Sequence, residues 1–128
     1  TAFADEADKT TLVYGSTDYT RINPAMDEHC EINVLLFDGL TDHDGDNQII
    51  PRLAKSWEYD EENLTYTFHL EEGVKWHDGE PFTAEDVKFT FEAIMDPANE
   101  SENAPDYEDI ESIEVIDENT VIPLFWSI

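Results

Sequence analysis

The sequence predicts a mixed α/β (α+β) fold, and three patterns within its 128 residues support that prediction. Residues Thr65–Leu70 alternate between polar and apolar side chains, which is typical of a half-buried β-strand. Short acidic and amide runs at 60–63 and 117–119 separate strand-like segments, as the turns of β-hairpins do. Apolar residues between Val87 and Met95 recur at helical spacing. The combination indicates short β-hairpins together with two or three helices.

The N-terminal segment is predicted to hold a leader and one strand. Residues 1–10 are acidic, small and without periodicity, which is typical of a flexible leader. Residues 11–14 are apolar and β-prone, so they predict the first strand. A polar turn over residues 15–20 follows that strand.

The first helix is predicted over residues 28–36. Three apolar residues share one face of that helix: Ile32, Leu35 and Leu36. Asp27 is its predicted N-cap, and Gly39 suits its C-terminal end. Residues 43–46, which read His-Asp-Gly-Asp, predict a turn further on.

The first β-hairpin is predicted from residues 57–59 and 65–70. Because side chains alternate along a strand, one apolar set is expected to be buried together. That set is Tyr66, Phe68 and Leu70. The opposite face carries Thr65, Thr67 and His69. A glycine turn at Gly73, a short strand over 74–76 and a second turn over 77–79 follow the hairpin.

A second helix is predicted to begin after Thr83. Thr83 and Asp86 have the spacing of a capping box, with Asp in the place of the usual Glu. The apolar face of this helix is Val87, Phe91, Ile94 and Met95, and it is expected to meet the hairpin core. Asp96-Pro97 predicts its end, because proline disfavours helical geometry in the residue before it.

The C-terminal part is predicted to be a polar loop over 98–109 and a second hairpin from 113–115 and 120–122. Pro123 is expected to break any central strand, because proline cannot donate to a β-ladder. The three tryptophans are interpreted as core or sheet-packing residues: Trp57, Trp76 and Trp126.

The charge of the chain is extreme, with 32 acidic and six basic residues and a formal net charge of −26. This charge repels nucleic acids and anionic lipid headgroups, so neither is an expected partner. The acidity indicates either a solvated surface suited to a salty or calcium-rich setting, or attraction of cationic ligands and metal ions. The single cysteine, Cys30, excludes an internal disulfide.

No catalytic motif is present in the sequence. It contains neither a G-x-S-x-G nor a phosphate-binding loop, and His77-Asp78 is interpreted as a structural turn. Residues 26–30 and 42–47 combine His, Cys and Asp side chains, and the second run partly resembles a calcium loop without its last acid in register. Both runs are interpreted as solvated structure, and the sequence predicts no catalytic residue, no metal site and no cofactor.

Residues 53–87 carry a family resemblance. They read LAKSWEYDEENLTYTFHLEEGVKWHDGEPFTAEDV. This wording closely resembles extracellular solute-binding protein family 5, the peptide- and nickel-binding receptors of ABC importers. Glu71 departs from the pattern, because the family usually has Arg or Lys there.

The resemblance implies part of the first lobe of a two-lobed periplasmic-binding-protein-like fold. Residues 11–128 are then expected to be the N-terminal portion of lobe I, with the second lobe absent and the chain truncated. The family also places residues 52–56 on a helical turn. The sequence departs from the family after Val121, which adds to the expectation of truncation.

The implied function is that of the substrate-binding component of an ABC importer for oligopeptides, dipeptides or nickel. The expected partners are a small peptide or metal-complex ligand and the ABC permease in the membrane. The expected location is extracellular, periplasmic or at the cell surface. The start of the chain, Thr1–Asp5, resembles either the end of a signal peptide or the polar tether of a lipid-anchored exported protein.

Five residues are predicted to line the ligand site: Thr17, Asp18, Tyr19, Met26 and His29. The first three follow the first strand, at the end where α/β sheets usually bind ligands. In the resembling family this loop faces the cleft between lobes. Asp18 is expected to hold a peptide amine by a charge-assisted hydrogen bond.

Two alternative functions stay open at this point. One is a metal-dependent hydrolase that uses the acidic residues, which are plentiful but have no workable spacing. The other is a noncatalytic fragment that self-associates as a homodimer, because residues 124–126 and Ile128 add apolar side chains near the terminus.

Overall fold

The computed structural model of the chain describes residues 22–26 and 32–126. The predicted leader and the predicted strand over 11–14 lie outside the described residues. Helices and strands follow in this order: α1 (Asn33–Leu36), β1 (Thr41–His43), β2 (Ile49–Pro51), β3 (Ala54–Asp60), β4 (Thr65–Leu70), α2 (Ala84–Met95), β5 (Ile110–Asp117) and β6 (Thr120–Phe125). Two short 3₁₀ helices, Pro97–Asn99 and Ala104–Tyr107, connect α2 to β5.

The main sheet has four antiparallel strands in the order β3-β4-β6-β5. Its two hairpins are the two that the sequence predicts, each longer by several residues. Phe68 pairs with Val121, and Val121 pairs with Val115, so one apolar row crosses three strands. Residues directly opposite each other share a face, and α2 packs over the β5–β6 part of that face.

The core lies between α2 and this sheet face. Its buried residues are Ala54, Leu70, Ala84, Val87, Ile113 and Val121. Phe68, Phe91 and Met95 pack against them while keeping partial exposure. The predicted meeting of the hairpin with α2 is therefore confirmed, but only Leu70 of its three apolar residues is fully buried.

Helix α2 begins and ends as its sequence predicts. Thr83 is the N-cap, and the capping box is present: the Thr83 N–H donates to Asp86 Oδ2 at 2.8 Å. The two arms of this box satisfy donors that the first helical turn leaves free. Asp96 is the C-cap, and Pro97 starts the following 3₁₀ helix.

A small second sheet precedes the main one. Strands β1 and β2 pair with each other, and the predicted turn at 43–46 joins them. Asp44 Oδ1 accepts hydrogen bonds from the N–H groups of Asp46 and Gln48, both at 2.9 Å. Asp42 and Arg52 form an exposed ion pair at 3.0 Å. The pKa of Asp42 lies below its usual value because the His43 N–H and the Arg52 side chain donate to the carboxylate.

Two expectations about the N-terminal half are wrong. The described helical turn α1 spans only Asn33–Leu36, and its N-cap is Ile32; the expected N-cap Asp27 lies outside the described residues. Leu35 and Leu36 are exposed rather than facing a core. Residues 54–56 belong to strand β3 and not to a helical turn, because Ala54 pairs with Leu70 across a β-bulge.

Three expectations about strands and tryptophans are also wrong. Pro123 lies buried inside central strand β6, where the described pairs with β4 fall on either side of it, at Thr65↔Leu124 and Phe68↔Val121. The gap in that ladder falls opposite Tyr66, because Pro123 has no N–H to donate toward β4, whereas the pair Ile113↔Pro123 with β5 remains and the strand runs on. Residues 74–76 form only an isolated bridge, Lys75↔Pro81. Trp126 is 66% exposed and does not belong to the core.

The described part of the chain holds no helix that is both long and apolar enough to cross a membrane.

Replacing Leu70 with Ala should lower the free energy of unfolding by about 2–5 kcal/mol, because it leaves a cavity at a fully buried position. Thr67→Ala, on the opposite face of the same strand, should cost less than about 1 kcal/mol. Urea unfolding of both variants measures the difference. Equal losses would mean that the two faces of β4 are wrongly assigned.

Asp60→Ala should destabilise the protein at neutral pH, and the difference from the wild type should vanish in acid. The Asn63 side chain and the N–H groups of Asn63 and Glu62 donate to the Asp60 carboxylate, which lowers the pKa of that carboxyl below its usual value. A carboxylate whose pKa is lower in the folded state than in the unfolded state stabilises the fold at pH values above its unfolded-state pKa. That stabilisation is lost as the pH falls through the folded-state pKa. Thermal unfolding from pH 2 to pH 7 tests this.

Glu61→Ala is the matched control, because it removes the same charge from the same turn. A difference between Asp60→Ala and the wild type that persists undiminished at the lowest pH would contradict this account of the turn.

Candidate functional site

An apolar groove lies on the sheet face that α2 leaves open. Helix α2 packs against β5 and β6, so the aromatic side chains of β3 and β4 form the floor of a depression beside it. Trp57, Tyr66 and Phe68 are only half-buried there. The cavity has a volume of about 630 Å³. We call it the aromatic groove.

The walls of the aromatic groove come from four parts of the chain. One wall is α2, through Val87, Thr90, Phe91 and Ile94. A second wall is the turn region that carries Trp76 and Phe82, whose rings meet edge-on at 5.8 Å. Residues 38–41 and Ile49 form a third, and Pro24 with Ala25 closes one end.

Aromatic contacts fix the floor of the groove. Tyr66 stacks on Phe68 with ring centroids 6.0 Å apart, and Trp57 lies 6.5 Å from Phe68. Phe125 meets Tyr66 edge-on at 5.9 Å. Such offset and edge-on geometries are the favourable ones for aromatic pairs. The floor is therefore a connected aromatic surface rather than a set of isolated rings.

The end of the groove at Pro24 and Ala25 is tied to the loop after α2. Ser101, which is only 8% exposed, donates from Oγ to the Ala25 carbonyl at 2.6 Å. Asn103 Nδ2 donates to the Pro24 carbonyl at 3.0 Å, and the Glu102 N–H donates to the Met26 carbonyl at 3.0 Å. We call these three bonds the 101–103 clamp. They hold residues 24–26 against the loop that follows α2.

The polar groups around the groove are few. Asp86 Oδ2 belongs to the capping box, whereas Asp38 is exposed at the rim. Tyr107 lies against Phe91 with ring centroids 5.3 Å apart, and burial raises the pKa of its hydroxyl. None of the residues that line this groove is Lys or Arg. Its chemistry suits apolar or aromatic groups with a neutral or cationic end.

A second, polar depression of about 460 Å³ lies at the far end of the sheet. Its lining is Lys55, His69, Glu72, Asp117, Glu118, Asn119 and Thr120. The Asn119 N–H and the Thr120 hydroxyl lower the pKa of Asp117. Lys55 pairs with Glu72 at 3.0 Å. Asp117 to Thr120 make the turn between β5 and β6, whereas Lys55 lies in β3, His69 in β4 and Glu72 just after β4.

The structure places one of the five residues predicted to line the ligand site. Met26 lies half-buried in the turn that the 101–103 clamp holds. Thr17, Asp18, Tyr19 and His29 lie outside the described residues. The predicted site therefore stays a prediction, and the clamp attaches its one described residue, Met26, to the loop after α2.

Sequence reasoning missed both the groove and the clamp. The groove had a readable signal, because β3 and β4 each carry aromatic residues on the same face, at Trp57, Tyr59, Tyr66 and Phe68. The clamp had no such signal, since Ser101 and Asn103 lie in a polar loop, nearly 80 residues from their partners.

The described residues contain no group of three or more His, Cys, Asp or Glu side chains placed to hold a metal ion. In the 42–47 run, Asp42 and Asp44 are occupied by hydrogen bonds within the hairpin. Residues 26–30, the other run considered as a source of metal ligands, lie mostly outside the described part of the chain. His77 is exposed on its turn, and Asp78 accepts from the Glu80 N–H at 3.0 Å.

Comparison with solved structures defines the class of the fold. The described structure superimposes on NikZ from Campylobacter jejuni, solved in complex with Ni(L-His), with a TM-score of 0.82 and 40% identity. The match covers 86% of this chain and 22% of that chain. The fold is thus a mixed α/β part of a two-lobed periplasmic binding protein.

The family follows from the sequence comparison. The profile of "Bacterial extracellular solute-binding proteins, family 5 Middle" matches residues 48–122, more than half of the chain. The chain belongs to this family of substrate-binding proteins.

Two curated relatives illustrate the range of the family. A putative ABC transporter peptide-binding protein from Brucella ovis is 47% identical over 74 residues, which are 58% of this chain. Heme-binding protein A from Haemophilus influenzae is 38% identical over 94 residues, covering 60% of this chain. The chain spans 14% and 17% of the lengths of these relatives.

Ser101→Ala should lower the free energy of unfolding by about 0.5–1.5 kcal/mol, because the half-buried Ala25 carbonyl loses its donor. Ser112→Ala, at an exposed position of β5, should change stability by less than about 0.5 kcal/mol. Urea unfolding measures both, and amide hydrogen exchange should show faster exchange at Glu102, whose N–H bonds Met26. Unchanged exchange at Glu102 would show that the clamp does not act as a unit.

Proposed function

We propose that this chain contributes part of lobe I to the substrate-binding component of an ABC importer, with a peptide or a nickel complex as its ligand. The observation that supports this most is the family match over residues 48–122, together with the fold shared with the nickel-complex receptor. In this proposal residues 11–128 are the lobe portion and residues 1–10 a leader. Two lobes close on a ligand by hinge motion, and the closed form docks on the membrane permease.

The proposed ligand wall consists of Thr17, Asp18, Tyr19, Met26 and His29. The 101–103 clamp supports it, because the clamp fixes the turn through which these residues join the lobe. The net charge of −26 favours a cationic group on the ligand. Asp18 is the proposed partner of a free amine, through a charge-assisted hydrogen bond.

The proposal includes ligand binding without catalysis, export from the cytoplasm and a lipid anchor at the N-terminal side. Membership of a family of extracellular solute-binding proteins supports the location. The absence of a catalytic motif in the sequence supports binding alone.

A chimera tests the proposed function. This chain replaces the matching segment of Campylobacter jejuni NikZ, so that the second lobe comes from the solved relative. Titration calorimetry then uses three probes: Ni(II) with L-histidine, Ni(II) alone, and a dipeptide. Saturable binding of one probe is the expected result, and the probe that binds names the ligand class. A chimera that folds, shown by cooperative unfolding, and binds none of the probes would contradict the proposal.

Asp18→Asn in the same chimera should weaken a dipeptide with a free amine by about tenfold or more, since a hydrogen bond between charged groups is lost. The N-acetylated dipeptide should lose much less affinity, because it carries no positive charge. Calorimetry with both peptides gives the comparison. Equal losses for the two peptides, or no loss for either, would show that Asp18 is an ordinary loop residue.

A further inference from the structure

The acidic side chains of the described residues lie on the surface. Every Asp and Glu in residues 22–26 and 32–126 is exposed except Asp42 and Asp86, which are half-buried. Only four Lys or Arg side chains lie in the same ranges: Arg52, Lys55, Lys75 and Lys88. Since like charges repel, the exposed carboxylates oppose the compact state wherever no cation offsets them.

The two edge strands of the main sheet, β3 and β5, differ in charge. Residues 52–60, which include β3, carry two cations and two acids: Arg52, Lys55, Glu58 and Asp60. Both cations lie 3.0 Å from a carboxylate, in ion pairs with Asp42 and Glu72 respectively. Residues 106–118, which include β5, carry seven exposed acids and no Lys or Arg: Asp106, Glu108, Asp109, Glu111, Glu114, Asp117 and Glu118. We call residues 106–118 the acidic edge.

The elements that neighbour the acidic edge do not neutralise it. Strand β6, the sheet partner of β5, has no charged residue between Thr120 and Phe125. Helix α2 packs against β5, but its single cation, Lys88, lies 3.9 Å from Glu92 on the same helix. Residues 89–126 contain no Lys or Arg. The repulsion within the acidic edge is therefore uncompensated in the described part of the chain.

The spacing of these charges sets the salt range over which the repulsion acts. Glu111 and Glu114 stand three residues apart, which is about 10 Å along a strand. The Debye length is about 30 Å at 0.01 M salt, about 10 Å at 0.1 M and about 3 Å at 1 M. Repulsion at such a spacing is therefore strong in dilute salt, is partly screened near 0.1 M and is largely removed near 1 M.

We propose that the acidic edge makes this fold dependent on ionic strength: β5 stays paired with β6 in molar salt and is the first part of the main sheet to open as salt is removed. Ile113 and Val115 hold β5 on the core through apolar contacts. The repulsion opposes those contacts only where it is unscreened. The chain is thus suited to a medium of high ionic strength, which is one of the two interpretations of its acidity.

Native-state hydrogen exchange of the 128-residue chain tests this proposal, with β3 as the internal control because it is the other edge of the same sheet. Protection factors are measured against the unfolded chain in the same buffer, at about 2 M KCl and at the lowest salt that still gives cooperative unfolding. The ratio of β3 to β5 protection should be at least about tenfold larger at the low salt. A ratio that does not rise at low salt would overturn the proposal, as would a chain that unfolds cooperatively at no salt concentration.

A change of salt separates screening from potassium binding. Tetramethylammonium chloride at the same concentration should raise the protection of β5 as KCl does, because screening depends on ionic strength and not on the identity of the cation. An effect confined to KCl would mean that bound potassium stabilises β5, and it would overturn the screening account.

Two double variants test whether the acidic edge is the cause. Glu111→Gln with Glu114→Gln removes two charges from β5 and should shrink the low-salt ratio by at least about threefold, with little change near 2 M KCl. Glu58→Gln with Glu61→Gln is the matched control, because it removes two exposed carboxylates at the other edge of the sheet, and it should not shrink the ratio. Equal shrinkage by both pairs, or an effect of the β5 pair that is as large near 2 M KCl, would overturn the role of the acidic edge.

Discussion

The rest of the structure depends on strand β4, the strand that pairs with both β3 and β6. Leu70, at its end, is fully buried, and its N–H donates to the Asn119 carbonyl at 2.8 Å. The next residue, Glu71, donates from its N–H to Leu53 at 2.8 Å. One short stretch of backbone therefore joins the two hairpins and the segment before β3. The same strand supplies one face to the core and to the groove.

A single alternating pattern thus has two consequences. Toward its C-terminal end, β4 buries Leu70 beneath α2, and toward its start the same face carries Phe68 and Tyr66 into the open groove. The difference arises because α2 covers β5 and β6 and leaves β3 and β4 partly free. In this protein the core and the candidate binding surface are continuous, so a change at the floor of the groove also affects the packing of the lobe.

Short-range sequence patterns were sufficient to predict the elements that depend on neighbouring residues. The capping box at Thr83 and Asp86, the stop at Pro97 and the alternation in β4 were all readable, because each depends on residues a few positions apart. Pro123 was misjudged because the strand is held on its other side by β5, through the pair Ile113↔Pro123, which is a property of the sheet. The clamp from Ser101 to Ala25 was missed for the same reason, since it joins distant segments. The family was recognisable because its characteristic sequence occupies consecutive residues, 53–87. Four of the five predicted ligand residues lie outside the described ranges, so their prediction is untested.

Native-state hydrogen exchange of the 128-residue chain tests the central role of β4 most directly, because it reports the free energy of opening at each amide. The account predicts that the amides of Leu70 and Val121 exchange most slowly, at the rate of global unfolding. The amides of the β1–β2 hairpin should exchange faster through local opening. Slowest exchange in the β1–β2 hairpin, with Leu70 exchanging by local opening, would contradict the account.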